Sequence, residues 1–246
     1  MEPVYSQKFS VAPNMVDCFG RARPSTLLYL AQEAAGGHCK LLGVDWDTLS
    51  QQGLFWAVIR YRVQVTRLPR SGETVTVETW PMPTTRTAFP RSTVARDAQG
   101  RELFRTIGLW VLMDAESRGM VLPGKSSIAL TGTCRGGELA PPSSLVPGPA
   151  DQTALRRVGY TELDRNGHMN NTRYMNWIDD LLPAAFHRDH PVSEFTLCYL
   201  SEAREGEELQ LNWSLTDGPE LQVDAHRTGT DVSGKSKRVF SAKITF

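Results

Sequence analysis

The sequence is poor in long apolar runs. Nowhere in its 246 residues does an uninterrupted apolar stretch approach the roughly 20 residues that span a bilayer. The N-terminal segment MEPVYSQKFS has neither the apolar core of a signal peptide nor the Arg- and Ser-rich composition of a transit segment. We therefore expect a cytoplasmic protein that has no membrane partner.

Cysteines are few, and their spacing does not pair them. The four residues, with no CxxC among them, are Cys18, Cys39, Cys134 and Cys198. In a reducing compartment such thiols stay free. His187 and His190 are spaced like half of a metal site, but no further ligand cluster accompanies them, so a solvated loop is the favoured interpretation. The sequence predicts no metal and no cofactor.

A net charge of either sign is also lacking. The formal net charge is zero, which does not indicate a nucleic-acid partner. One basic run nevertheless occurs in the first half of the chain, and it consists of Arg86, Arg91, Arg96, Arg101 and Arg105. By default we interpret this run as a solvated strand face, and the alternative is a docking surface for an acidic partner protein.

The sequence supports neither a serine-hydrolase motif nor a phosphate-binding motif. No GxSxG elbow is present, so a serine hydrolase has no support. Residues 119–126 do match the P-loop pattern GxxxxGKS. A working P-loop surrounds phosphate with backbone N–H groups and opens into a helix, whereas Pro123 lacks an N–H and no helical pattern follows Ser126. We interpret this match as chance.

Periodicity predicts one helix and several strands in the first half. A turn at residues 17–23 leads to a helix that begins at Pro24 and ends at Gly43. The apolar stripe of this helix comprises Leu27, Leu30, Ala31, Ala34, Ala35, His38, Leu41 and Leu42. Strands are expected near residues 4–11, 54–68, 73–80, 88–96, 102–114 and 119–122, with 54–68 and 73–80 forming a hairpin across the turn PRSG.

The composition changes after the first half. Residues 131–150 are rich in Gly, Pro and Ser and have no apolar period, which is typical of a linker. We therefore expect an N-terminal domain of residues 1–130, a linker, and a C-terminal domain of residues 151–246. The second domain is predicted to contain strands near residues 155–160, 193–200, 208–215, 222–227 and 238–246.

The second domain also has one predicted helix, which Asn171 or Thr172 caps and Pro183 stops. Its apolar stripe comprises Tyr174, Trp177, Ile178, Leu181 and Leu182.

The second half of the chain repeats the first. Aligning Asp17 with Asp164 places Gly20 on Gly167, and with a smaller offset RSGE at residues 70–73 aligns with REGE at 204–207. Each copy has one helix followed by long strands. This arrangement predicts an α+β fold with two long helices, each wrapped by an antiparallel β-sheet.

Three polar residues, Asp164, Asn166 and His168, occupy alternate positions before the second helix. In an extended segment their side chains would project from one side, beside helix N–H groups that can stabilise an oxyanion. An Asx-turn with a capping asparagine explains Asp164 and Asn171 without catalysis, and the spacing alone does not separate the two interpretations. The first copy has Phe19 and Arg21 where the second has Asn166 and His168, which favours a single site.

The segment Asp164–Asn171, DRNGHMNN, resembles the D-x-N-x-H-x-N-N active-site signature of the acyl-acyl carrier protein (acyl-ACP) thioesterases of plants and bacteria. Residues 54–80, and residues 108–113 followed by Pro123, are similar to strands of that family's first domain. The resemblance covers nearly the whole chain. It implies a tandem (double) hotdog fold.

The resemblance also implies an activity, which is hydrolysis of fatty acyl-ACP to free fatty acid and holo-ACP. This reaction ends chain elongation in fatty acid biosynthesis. The implied catalytic residues are Asp164, Asn166, His168 and Glu202, and the implied partner is the carrier protein. Plant members often have a cysteine after the glutamate, whereas this sequence has Ala203, so no acyl-enzyme can form there. A monomer and a homodimer are both compatible with a tandem copy.

Three other functions fit the same architecture. They are an acyl-CoA thioesterase, a hydroxyacyl-carrier dehydratase and a non-catalytic acyl-binding protein. The dehydratase would need a partner side chain from the first half, where Phe19 and Arg21 stand instead. The binding protein would leave the three polar residues unexplained.

The two helices differ in side-chain size. The first carries Ala31, Ala34 and Ala35, where the second carries bulky residues such as Trp177 and Ile178. Small side chains leave room for a methylene chain between helix and sheet. We therefore expect the first domain to bind the acyl chain at these alanines and the second domain to be catalytic.

Overall fold

The computed structural model describes residues 3–229 and 237–246. The chain divides into two compact units, Met1–Pro142 and Ser143–Phe246, called the first and second unit below. The boundary lies inside residues 131–150, which form no helix or strand. Across the described residues no helix is long and apolar enough to cross a membrane.

Most of the predicted elements of the first unit are present. Together with a short helix outside the prediction, α2 (Trp46–Ser50), they are β1 (Tyr5–Ser10), α1 (Pro24–Leu42), β2 (Leu54–Val65), β3 (Thr74–Pro81), β4 (Phe89–Arg96), β5 (Glu102–Asp114) and β6 (Met120–Val121). Helix α1 begins at Pro24, whose missing N–H costs nothing in a first turn. It ends at Gly43, which adopts the left-handed conformation of a C-terminal cap.

The strand order of the first sheet is β1-β3-β4-β5-β2, with β6 beside β5, and all pairs are antiparallel. The predicted hairpin between residues 54–68 and 73–80 is therefore wrong, because β2 pairs with β5. These two strands are the longest, with 12 and 13 residues, so their pairing satisfies more backbone groups than pairing β2 with the eight-residue β3.

The connection from β2 to β3 is held by the start of the chain. The N–H of Ala22 donates to the carbonyl of Pro69, and the N–H of Gly72 donates to that of Val11. Gly72 has a φ of 81°, which suits the turn expected there. The turn was predicted correctly, but it directs β3 to β1 rather than back along β2.

Helix α1 buries the predicted stripe against β1 and β3. One predicted member, Leu41, is instead 65% exposed. The last turn of α1 presents Cys39 and Leu42 to a separate apolar cluster that contains Val44 and Leu49. A stripe derived from periodicity alone does not locate the end of the contact surface.

The predicted linker is in part bound to the first unit. Its first part lies on the first unit, where the N–H of Thr133 donates to the carbonyl of Pro81 at 2.9 Å. Arg135 pairs with Glu78 at 3.3 Å, and Arg105 donates to the carbonyl of Gly137. Side chains of the sheet therefore hold this irregular segment in place.

The second unit contains β7 (Gln152–Arg157), α3 (Arg173–Asp179), α4 (Ala184–Asp189), β8 (Glu194–Tyr199), β9 (Glu208–Leu215), β10 (Glu220–Arg227) and β11 (Arg238–Thr245). Its strand order is β7-β9-β10-β11-β8, again antiparallel. Numbered within each unit, this is the order of the first sheet without β6. The predicted repeat is therefore present in the topology.

The second long helix is absent from the described residues, so that prediction is wrong. Helix α3 has seven residues, against 19 in α1, and Pro183 precedes α4 rather than ending α3. Asp179 and Asp180 lie at the end of α3, where negative charge opposes the helix dipole. Pro183 also disfavours a helical conformation at the residue before it.

Candidate active site

The three predicted polar residues lie in a tight turn, not in an extended segment. The N–H of Asp164 donates to the carbonyl of His168 at 2.8 Å, and the N–H of Gly167 donates back to Asp164 at 3.0 Å. Gly167 has a φ of 75°, a conformation that glycine adopts without strain. The expected alternation of side chains on one face is therefore wrong.

Asp164 holds this turn through its carboxylate. Oδ1 of Asp164 accepts from the backbone N–H of Asn166 at 2.8 Å and from that of His168 at 3.4 Å. The Asx-turn interpretation is therefore confirmed for Asp164. This interpretation is compatible with catalysis, because the same turn fixes the backbone positions from which the side chains of Asn166 and His168 project.

His168 and Glu202 form a close pair. Nε2 of His168 lies 2.8 Å from Oε2 of Glu202, with the imidazole buried and the carboxylate about one-third exposed. The backbone brings the two together, because the N–H of Met169 donates to the carbonyl of Ala203 at 2.8 Å. A hydrogen-bonded imidazole and carboxylate at the edge of solvent can accept and return a proton.

The residues before α3 are arranged differently from the prediction. Asn170 forms an Asx-turn before the helix, since its Oδ1 accepts from the N–H of Thr172 at 2.9 Å and from the Thr172 hydroxyl at 2.7 Å. Thr172 is the N-cap residue, but its side chain makes no capping hydrogen bond. With only two turns, α3 is a weak source of the helix dipole that was expected to favour an oxyanion.

The loop that carries Glu202 is held by Arg227, a residue of β10. Arg227 donates to the carbonyl of Glu202, to Oγ of Ser201 at 2.9 Å and to the carboxylate of Glu207 at 3.1 Å. Three anchors from one guanidinium fix the backbone from which Glu202 projects towards His168. Nothing near Arg227 in the sequence links it to the loop, so its role is not predictable from the sequence alone.

The first unit shows the same turn without the pair. Oδ1 of Asp17 accepts from the N–H groups of Phe19 and Arg21, both at 2.9 Å, and Gly20 has a φ of 74°. The side chain of Arg21, at the position of His168, pairs back with Asp17 at 3.0 Å. By the repeat, Leu68 stands where the second unit has Glu202. This turn therefore lacks the acid–base pair.

The contacts that Arg227 makes with the Glu202 loop have a counterpart in the first unit, where Arg67 makes similar contacts from a different position in the repeat. Arg67 pairs with Glu73 at 2.6 Å and donates to the carbonyl of Leu68 at 3.3 Å. By the repeat, Glu73 and Leu68 correspond to Glu207 and Glu202. Both loops are thus held by a guanidinium, but only the second unit recruits it from a neighbouring strand.

Replacing Arg227 by alanine is expected to lower turnover about tenfold without unfolding the protein, because the Glu202 carboxylate would lose its fixed approach to His168. Steady-state kinetics on an acyl thioester would measure this. The matched control is Arg238→Ala, which breaks the 3.3 Å pair with Asp224 on the same sheet at similar exposure. Equal losses in both variants would reduce Arg227 to a general structural role.

The predicted basic run is neither uniform nor uniformly solvated. Arg91 is buried, and its guanidinium lies 3.2 Å from Nδ1 of His38 and 3.3 Å from Oγ1 of Thr79. Burial lowers the pKa of this guanidinium. Three other members of the run form ion pairs, namely Arg96 with Glu102, Arg101 with Asp97 and Arg105 with Glu102.

The predicted acyl-binding residues lie on the buried face of α1. Ala31 and Ala34 are fully buried, and Ala35 nearly so. Their contact with an acyl chain stays a prediction. Within the described residues, no group of three or more His, Cys, Asp or Glu side chains is arranged to hold a metal ion.

The sequence matches two family domains. Residues 2–122 match the acyl-ACP thioesterase N-terminal domain, and residues 150–243 match its C-terminal domain. Among curated relatives, a chloroplastic palmitoyl-acyl carrier protein thioesterase of Gossypium hirsutum is 28% identical over 229 residues, covering 87% of this chain and 55% of the relative. A chloroplastic dodecanoyl-[acyl-carrier-protein] hydrolase of Umbellularia californica is 31% identical over 187 residues, covering 70% of this chain and 49% of the relative.

Solved structures show the same fold. An acyl-ACP thioesterase from Bacteroides thetaiotaomicron superposes with a TM-score of 0.85 at 23% identity, covering 99% of this chain and 98% of the other. The 12:0-ACP thioesterase from Umbellularia californica gives 0.83 at 24% identity, covering 100% and 97%. The chain spans about half the length of the curated relatives it matches. With both domains matched in order along the chain, the protein belongs to the acyl-ACP thioesterase family.

Proposed function

We propose that the protein hydrolyses fatty acyl-ACP to free fatty acid and holo-ACP, and so ends fatty acid chain elongation. The observation that carries this proposal is the 2.8 Å contact between His168 and Glu202, located in the family's signature turn and the loop bound to it. The curated relatives named above are palmitoyl- and dodecanoyl-carrier hydrolases, which supports the substrate class.

In the proposed reaction the His168–Glu202 pair activates water. The water oxygen attacks the thioester carbonyl carbon while its proton passes to the pair. The tetrahedral intermediate then breaks its carbon–sulfur bond, and the leaving sulfur takes the proton back. A thiolate leaves readily, so one acid–base pair suffices for both transfers.

Two further residues have supporting roles in the proposal. Asp164 positions the turn by binding the backbone N–H groups of Asn166 and His168. Asn166 is half-buried within this turn, and its side-chain amide is proposed to donate to the carbonyl oxygen as negative charge develops there. Ala203 is fully buried and has no nucleophilic group, so the reaction proceeds through water rather than an acyl-enzyme on that residue.

We also propose that each unit is one hotdog, giving a tandem hotdog with divided roles. The repeated strand order supports this, as does the packing of the 19-residue α1 on β1 and β3. The second unit would perform the chemistry. The first would bind the acyl chain along Ala31, Ala34 and Ala35.

A thiol-release assay tests the function. Purified protein is expected to release free thiol from acyl-ACP substrates faster than from the matching acyl-CoA. Preference for acyl-CoA would indicate an acyl-CoA thioesterase. Formation of an unsaturated product from hydroxyacyl-ACP without thiol release would indicate a dehydratase. Tight binding of acyl-ACP with no product would indicate a binding protein.

A further inference from the structure

A surface groove of the first unit has no role in the site described above. The groove has a volume of about 700 Å³. One side is formed by residues 84–86, between β3 and β4, and the other by residues 122–125 and 128–130, after β6. It therefore joins two segments that lie apart in the sequence, the start of the basic run and the GxxxxGKS pattern.

Two cations line this groove. Arg86 and Lys125 are both exposed, and within the described residues neither side chain has a hydrogen bond or an ion pair. Among the described members of the basic run, Arg86 alone is both exposed and without an ion pair, because Arg91 is buried and the others are ion-paired. A cation without an internal partner is available to an external carboxylate at little desolvation cost.

The floor of the groove is apolar. Leu122, Ile128 and Leu130 line it, and Ile128 and Leu130 belong to the cluster that contains Val44 and Leu49. Cations beside such a floor are typical of a surface that receives an amphipathic segment with acidic side chains.

The local backbone excludes a phosphate-binding loop. Residues Pro123–Lys125 form a single 3-10 turn, and no helix follows within the first unit. Pro123 has no N–H, so the turn cannot surround a phosphate with donors. The groove thus offers side-chain cations rather than a backbone phosphate site, and such cations can pair with carboxylates held on a protein surface.

We propose that this groove docks the acyl carrier protein, a small acidic protein, through an acidic helix whose apolar side rests on Ile128 and Leu130. Arg86 and Lys125 would pair with carboxylates at the edge of that helix. This inference rests on the proposed function, because it identifies where the partner of that reaction binds. Charge pairs of this kind raise the association rate and weaken with salt.

The test compares the double variant Arg86→Glu, Lys125→Glu with the double variant Lys8→Glu, Lys40→Glu. The second pair is also exposed in the first unit, changes the net charge equally and lies outside the groove. Binding of fluorescently labelled holo-ACP is measured by anisotropy over a salt series. Hydrolysis of acyl-ACP and acyl-CoA is measured in parallel.

We expect the groove variant to bind holo-ACP about tenfold more weakly than wild type, with a smaller salt dependence and unchanged acyl-CoA hydrolysis. The control variant should bind within about twofold of wild type. Equal binding by the two variants would overturn the docking surface while leaving the hydrolase intact. Wild-type protein that hydrolyses acyl-CoA but does not bind holo-ACP would overturn the carrier as partner, and absence of all hydrolysis would overturn the proposed function itself.

Discussion

The substitutions Glu202→Gln and His168→Asn are each expected to lower turnover by roughly 10²–10⁴-fold. Glutamine keeps the shape of Glu202 but cannot accept a proton, and asparagine cannot provide the imidazole nitrogen that lies 2.8 Å from the carboxylate. Because the pair acts on one water, the double variant should lose little more than either single variant. Single-turnover thiol release from acyl-ACP would measure the chemical step.

The first unit offers a matched control for this prediction. Arg21 occupies the position of His168 in an equivalent turn, where it pairs with Asp17 instead of with an acid–base partner. Arg21→Asn should therefore leave turnover within about twofold of wild type, since general acid–base catalysis is not lost. Near-normal turnover of folded Glu202→Gln or His168→Asn would remove that residue from the mechanism.

The second large effect concerns acyl chain length. Ala34 is fully buried on the sheet-facing side of α1, and Ala34→Phe would fill space assigned to the distal part of the chain. Each buried methylene is worth about 0.8 kcal/mol, so exclusion of three would lower reactivity with the longest substrates about 60-fold. Short substrates should be hardly affected. Thiol-release rates across acyl-ACP substrates of graded length would measure this shift.

The control for chain length is Glu33→Phe, which adds the same ring to the exposed face of α1. It should keep the wild-type length profile. Overpacking at Ala34 is itself expected to cost about 1–3 kcal/mol of stability, so thermal melts must accompany the assay. A folded Ala34→Phe variant with an unchanged profile would place the acyl chain elsewhere and remove the main support for the division of roles.

The features that the sequence determined by itself depend on residues close together in the chain. Pro24 and Gly43 define α1, because the ends of a helix are set by local backbone chemistry. Asp164 and Gly167 define the site turn, and Asp17 and Gly20 define its copy, for the same reason. Repeated local signals also exposed the duplication, which appears again in the strand order of the two units.

The tertiary structure decided whatever depends on distant partners. It paired β2 with β5, because two long strands satisfy each other's backbone better than a neighbouring short one. It buried Arg91 of the basic run, since an arginine in a strand does not reveal which face a helix covers. It also joined Arg227 of β10 to the loop of Glu202, a contact between residues 25 positions apart. Local chemistry therefore determined the turn that carries His168, whereas long-range packing holds the Glu202 loop that faces it.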